Sequence, residues 1–134
     1  MVTSPFLGII FRVFAISITS TREKNAKPQV IYVNQYENAS IGLGESEQYH
    51  RKPNNFGEQI YTVCTGTNVE ACGYWEDIET KKKIVDASKT TVDLNTFILT
   101  MVNVSMNEGG TYWSDDINEA KILHIMPNGI PLSS

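Results

Sequence analysis

Concentrated positive charge is missing from this chain. Its 11 Lys and Arg are outnumbered by 15 Asp and Glu, the formal net charge is -4, and the longest basic run is Lys81-Lys82-Lys83. Phosphate backbones are held by clustered Lys and Arg, so no nucleic-acid partner is expected, and the short run reads as a solvated strand edge. Catalytic and phosphate-cradling signatures are missing too: neither G-x-x-x-x-G-K nor H-E-x-x-H occurs. His50 and His124 have no motif linking them to a nucleophile, and His124 alternates with Leu123 and Ile125 as an outward strand residue would. The pair Asp115-Asp116 reads as a solvated turn rather than as an acid and a base. Cys64 and Cys72 are too far apart for a C-x-x-C knuckle and make a poor zinc set with two histidines. An enzyme, a cofactor and a metal centre are therefore not expected.

Long apolar runs are scarce. The stretch FLGIIFRVFAISI at residues 6–18 has the length of a signal-peptide core and falls short of the roughly 20 residues that span a bilayer. Residues 1–20 are read as a secretory leader, although Arg12 interrupts the run and no Lys or Arg precedes it. No later segment approaches a spanning length, so no transmembrane segment is expected in this chain.

What remains is enough for one core and no more. The 134 residues fit a single sandwich of roughly 100 residues with a leader and short tails. Residues 21–28 read as a polar linker ending in Pro28, residues 29–126 as the domain and 127–134 as a tail. Within 29–126, short β-branched and aromatic stretches such as Val30-Ile31-Tyr32-Val33, Ser40-Ile41-Gly42-Leu43 and Gln59-Ile60-Tyr61-Thr62-Val63-Cys64 are separated by turn-forming stretches such as HRKPNNFGE. Seven or more such strands with no convincing helix describe an all-β sandwich or barrel. In FILTMVNVSMNEGGTYWS, Phe97, Leu99, Met101 and Val104 line one strand face before a corner. The heptad that follows, Glu108-Gly109-Gly110-Thr111-Tyr112-Trp113-Ser114, is similar to the D-x-G-x-Y-x-C of immunoglobulin domains. Gly110 permits tight backbone at the corner, and Tyr112 would return its hydroxyl to backbone. In YTVCTGTNVEAC a strand can turn through Thr67-Asn68 and come back beside itself, so a local disulfide between Cys64 and Cys72 is the better reading.

This layout resembles the polymeric immunoglobulin receptor and its relatives, the CMRF-like leukocyte mono-immunoglobulin receptors. The resemblance rests on Tyr36-Glu37-Asn38-Ala39-Ser40-Ile41-Gly42-Leu43 leading into strand B and Ile60-Tyr61-Thr62-Val63-Cys64-Thr65-Gly66 as strand C. It continues through Lys81-Lys82-Lys83-Ile84-Val85-Asp86 at the start of strand D, the stretch from Phe97 to Val104 as strand E, and Thr111-Tyr112-Trp113 in strand F. It implies a two-sheet, Greek-key immunoglobulin V-type sandwich, with Cys64 and Cys72 forming the extra bridge between strands C and C′. The departures are definite. The strand B cysteine should stand at Glu45, or after a slip of one alternation step at Leu43, and its partner at Ser114; both cysteines are lost. Val63 replaces the strand C Trp, and neither Trp75 nor Trp113 obviously substitutes.

The function the resemblance implies is a ligand-binding immunoglobulin domain of a receptor-like cell-surface or secreted protein of immune type, taking a macromolecular or lipid ligand. Sequons at Asn103 and Asn38, ranked in that order, agree with an extracellular address, secreted or as the ectodomain of a plasma-membrane receptor. V-type loops gather at one end, which puts the candidate ligand face in residues 48–58 and 114–119. Tyr49, His50, Arg51, Lys52, Phe56, Asp115 and Asp116 are the candidate contacts. The alternatives are a structural or adhesive immunoglobulin domain that pairs with itself, and a decaying, non-functional paralogue. No oligomeric state is implied.

Overall fold

Alternation of buried and exposed side chains sorts the described residues into nine strands. The computed structural model describes residues 27–85, 88–115 and 119–127; the leader expected at residues 1–20 and the candidate contact Asp116 lie outside these. The strands are β1 (Gln29–Asn34), β2 (Ala39–Gly42), β3 (Gln48–Pro53), β4 (Gln59–Thr62), β5 (Trp75–Asp77), β6 (Lys89–Val92), β7 (Ile98–Val102), β8 (Gly110–Ser114) and β9 (Lys121–Met126), with 3₁₀ turns at Val69–Ala71 and Met106–Glu108.

One sheet has the order β1-β9-β8-β3-β4-β5 and the other β2-β7-β6. Only β1 and β9 run parallel among the paired strands; the remaining pairs are antiparallel. This is the variable-type arrangement, A′GFCC′C″ facing BED. The fold is an all-β, two-sheet immunoglobulin V-type sandwich.

The core lies between the sheets and follows the period of two. Ala39 and Ile41 of β2, Leu99 and Met101 of β7, Tyr112 of β8, and Leu123 and Ile125 of β9 point inward and are buried, as are Leu43 and Val104 just beyond their strands. Gly110 is required by close approach rather than by a turn. A Cβ there would press into the carbonyl of Lys52 and lie 2.7 Å from Pro53 Cα, where β8 pairs with β3.

Several strand assignments shift by one element. Strand C is β3, the stretch QYHRKP that reads as a turn, and the segment around Ile60 and Tyr61 is β4, or C′. The polar sequence hides the strand because its inward residues are Tyr49, Arg51 and Pro53, and the charge of Arg51 is balanced inside the core. Strand D begins at Lys89, whereas residues 81–85 form a loop that touches β5 through a single bridge between Lys83 and Glu76. Phe97 leaves the Leu99 and Met101 face: with φ of 57° it closes the β6–β7 turn, its N–H donating to Asp93 O at 2.7 Å.

Candidate ligand-binding surface

Three structural features account for the residues singled out in the sequence. The first is the E–F corner with its buried charge. The Tyr112 hydroxyl donates to Glu108 O at 2.6 Å, four residues upstream, which is the tyrosine corner. Arg51 reaches the same point: Nη1 contacts Glu108 Oε2 and the Tyr112 hydroxyl, both at 3.2 Å, and Nε donates to Gln59 Oε1 at 2.7 Å. Trp75 from β5 covers the guanidinium, with Cζ 4.1 Å from the ring centroid, and meets Tyr112 edge-on at 6.0 Å. The indole N–H is satisfied by Thr90 Oγ1 at 2.8 Å. Burial pushes the Tyr112 phenol up to about 12, against the opposing pull of Arg51. Trp75 is thus the central aromatic of the sandwich, while Tyr49 is the buried inward aromatic of strand C, its hydroxyl donating to Gly44 O at 2.5 Å. Val63 lies past the end of β4 and has no such role.

The second feature is on the outer face of the larger sheet. His50 stacks on Trp113, centroids 5.4 Å apart, and its ring nitrogens meet Asp115 Oδ1 at 2.7 Å and Glu58 Oε2 at 3.1 Å. This ties the start of the β8–β9 connection to the β3–β4 turn. Both carboxylates are occupied by the imidazole, and the Ser114 hydroxyl points inward to Leu43 O. The cluster therefore has the form of a cross-strand tie, with no nucleophile aligned on the histidine among the described residues.

The third is the loop end. Residues 43–47, 63–74 and 93–97 and the exit of β8 gather there, and Glu45, Glu47, Asp115, Val63, Leu94 and Phe97 line a groove of about 530 Å³. One wall is stiffened by the Cys64–Cys72 disulfide, Cα atoms 5.1 Å apart. This bridge lies in the β4–β5 connection, C′ to C″, not between C and C′, because Cys64 follows β4 and Cys72 precedes β5.

These placements redraw the candidate contacts. Tyr49, His50 and Arg51 are strand residues and buried, Arg51 at 1% exposure, so they are not loop contacts. Lys52 and Phe56 are exposed but lie at the opposite end, where the Lys52 ammonium caps Phe56 O at 2.6 Å. Only Asp115 among the described candidates stands at the loop end. Glu45 is exposed, whereas the Ser114 hydroxyl reaches Leu43 O across the interior. Sequence reasoning missed Glu47 and Leu94, and it set Phe97 on the Leu99 face rather than at the groove. The one available signal was the Asp93-Leu94-Asn95-Thr96 turn, which carries a large apolar residue at its tip.

No family model and no curated protein matches the chain. Among solved structures it is similar to the CD2-binding domain of CD58, lymphocyte function-associated antigen 3, at 13% identity and a TM-score of 0.42, over 75% of this chain and 54% of that one. It is also similar to the first Ig-like domain of human CD48 antigen, at 11% identity and a TM-score of 0.43, over 82% of this chain and 90% of that one.

Proposed function

We propose that the chain is the ligand-binding immunoglobulin domain of a receptor-like cell-surface or secreted protein, and that its ligand is a macromolecule presenting basic groups to the loop end. The observation that carries this reading is the groove there, lined by the apolar Val63, Leu94 and Phe97 and by the acidic Glu45, Glu47 and Asp115. Apolar lining supplies burial and charged groups supply steering and register. An anionic lipid head group would meet the Glu45 and Glu47 carboxylates, which favours the macromolecular ligand over the lipid one.

An extracellular address accompanies this reading. The Cys64–Cys72 disulfide belongs to oxidising compartments, and no helix among the described residues is long and apolar enough to cross a membrane. Asn38 and Asn103 are exposed at the turn ends away from the groove, so glycans there leave the loop end open. The Asn38 side-chain oxygen accepts the Asn103 N–H at 3.1 Å, which restrains Asn38 and supports fuller modification at Asn103.

Flow cytometry with the oligomerised domain on a panel of leukocyte lines tests the proposal. The double reversal Glu45→Lys with Glu47→Lys should abolish cell binding, and Lys52→Glu at the other end should leave it intact. Binding that survives the double reversal, or that depends on Lys52, would place the ligand elsewhere.

A further inference from the structure

At the end of the sandwich opposite the groove is a second cavity whose polar groups are not explained by packing. It is an open pocket of about 280 Å³, lined by the apolar Phe56, Ile84 and Val85, the last 81% exposed, and by the polar and charged Arg51, Gln59, Lys83, Asn107 and Glu108. Arg51 and Gln59 are 1% and 4% exposed. Arg51 Nε donates to Gln59 Oε1, and since a guanidinium offers donors only, this bond fixes the amide with its NH₂ turned away from Arg51. That NH₂ makes no hydrogen bond among the described residues. Arg51 Nη1 is committed to Glu108, Tyr112 and Met101, whereas Nη2 has no acceptor among the described residues.

A buried donor without an acceptor costs about 1 to 3 kcal/mol, more when charged. Glu108 has little left to offer: Oε2 accepts from Arg51 and from the N–H and hydroxyl of Ser88, and Oε1 accepts from the Ser105 N–H. The described lining carries two cations, Arg51 and Lys83, the latter with its ammonium 5.1 Å over the Tyr74 ring, against the one carboxylate of Glu108, so one positive charge has no carboxylate partner in that lining.

We propose that this cavity binds a small monocarboxylate on a short apolar stem. The carboxylate accepts from the Gln59 NH₂ and Arg51 Nη2 and takes up the surplus charge near Lys83, and the stem packs against Phe56, Ile84 and Val85. The acid is either a free small molecule or the carboxyl end of a peptide, which presents the same chemistry. This site is independent of the loop-end function, from which it is separated by the length of β3.

A ¹⁵N NMR titration of the oxidised chain tests the proposal, using hexanoate as the free acid, N-acetyl-leucine as the carboxyl-terminal surrogate and hexanamide as the uncharged control. At least one acid should saturably shift the Gln59 side-chain amide and the Trp75 indole N–H, and the tighter of the two identifies the source. Hexanamide should bind about tenfold more weakly. Lys83→Gln, at an exposed position, should weaken the acid about fivefold without changing the melting temperature, and Gln59→Leu should remove saturable binding. Absence of saturable shifts with both acids, equal binding of the amide, or an affinity unmoved by Lys83→Gln and Gln59→Leu would each overturn it.

Discussion

The Ser114 hydroxyl donates to the backbone carbonyl of Leu43 at 2.9 Å, joining β8 to the segment that follows β2 across the interior of the sandwich. Both residues are buried, Leu43 at 1% and Ser114 at 3% exposure. This is the place where a covalent bridge between the sheets would be expected, and a hydrogen bond with close packing stands there instead. Leu43→Cys with Ser114→Cys should therefore crosslink in the folded protein. The melting temperature should rise under oxidising conditions by several degrees, since such a bridge contributes about 2 to 4 kcal/mol before the loss of Leu43 packing. Glu45→Cys with Ser114→Cys should not crosslink, because Glu45 is exposed. Non-reducing electrophoresis and thermal melts of both pairs check this.

The buried pair of Arg51 and Glu108 should show strong coupling. Arg51→Met leaves the Glu108 carboxylate without its ion partner, and Glu108→Gln leaves the Arg51 cation without its own, so each should cost about 3 to 5 kcal/mol. The double variant should cost clearly less than the sum. Urea unfolding of the four proteins in a double-mutant cycle measures the coupling; additive costs would show that the contact is incidental.

Alkaline pH should unfold the domain through Tyr112. Its folded value, about 12, is above the ordinary phenol value of roughly 10. The unfolded chain therefore releases the proton first, and stability is complete below about pH 10 and falls as pH rises toward about 12, by about 2 to 3 kcal/mol. Burial pushes the Tyr61 phenol in the same direction. Tyr112→Phe should flatten this alkaline slope and cost about 1 to 2 kcal/mol at neutral pH, because Glu108 O loses its donor. Chemical denaturation from pH 7 to 11.5 reads both effects.

Cooperative unfolding should persist without any disulfide. The Cys64–Cys72 bridge closes a short loop outside the core, so Cys64→Ser with Cys72→Ser should lower stability by about 2 to 3 kcal/mol and leave a single sharp transition. A broad, non-cooperative melt of the oxidised parent would instead identify a decaying domain. Gly73→Ala should also be destabilising, since its φ is +82° and a Cβ would lie 3.0 Å from Cys64 Sγ.

What the sequence by itself determined was local. The period of two in β2, β7 and β9, the Glu108 to Ser114 corner and the spacing of two cysteines eight residues apart need only near neighbours; they indicate an all-β sandwich or barrel, and the V-type form was an implication of the family resemblance. Which segment is strand C was decided by tertiary structure. His50-Arg51-Lys52-Pro53 has the composition of a turn, and it becomes the centre of the larger sheet only because Glu108, 57 residues from Arg51, neutralises the guanidinium inside the core and Trp75 covers it. The loop-end groove was hidden for the same reason: it joins Glu45, Glu47, Leu94, Phe97 and Asp115 from three separate connections. A charge in the core and a groove between loops are both set by partners distant in sequence, and a local pattern carries no information about which partners those are.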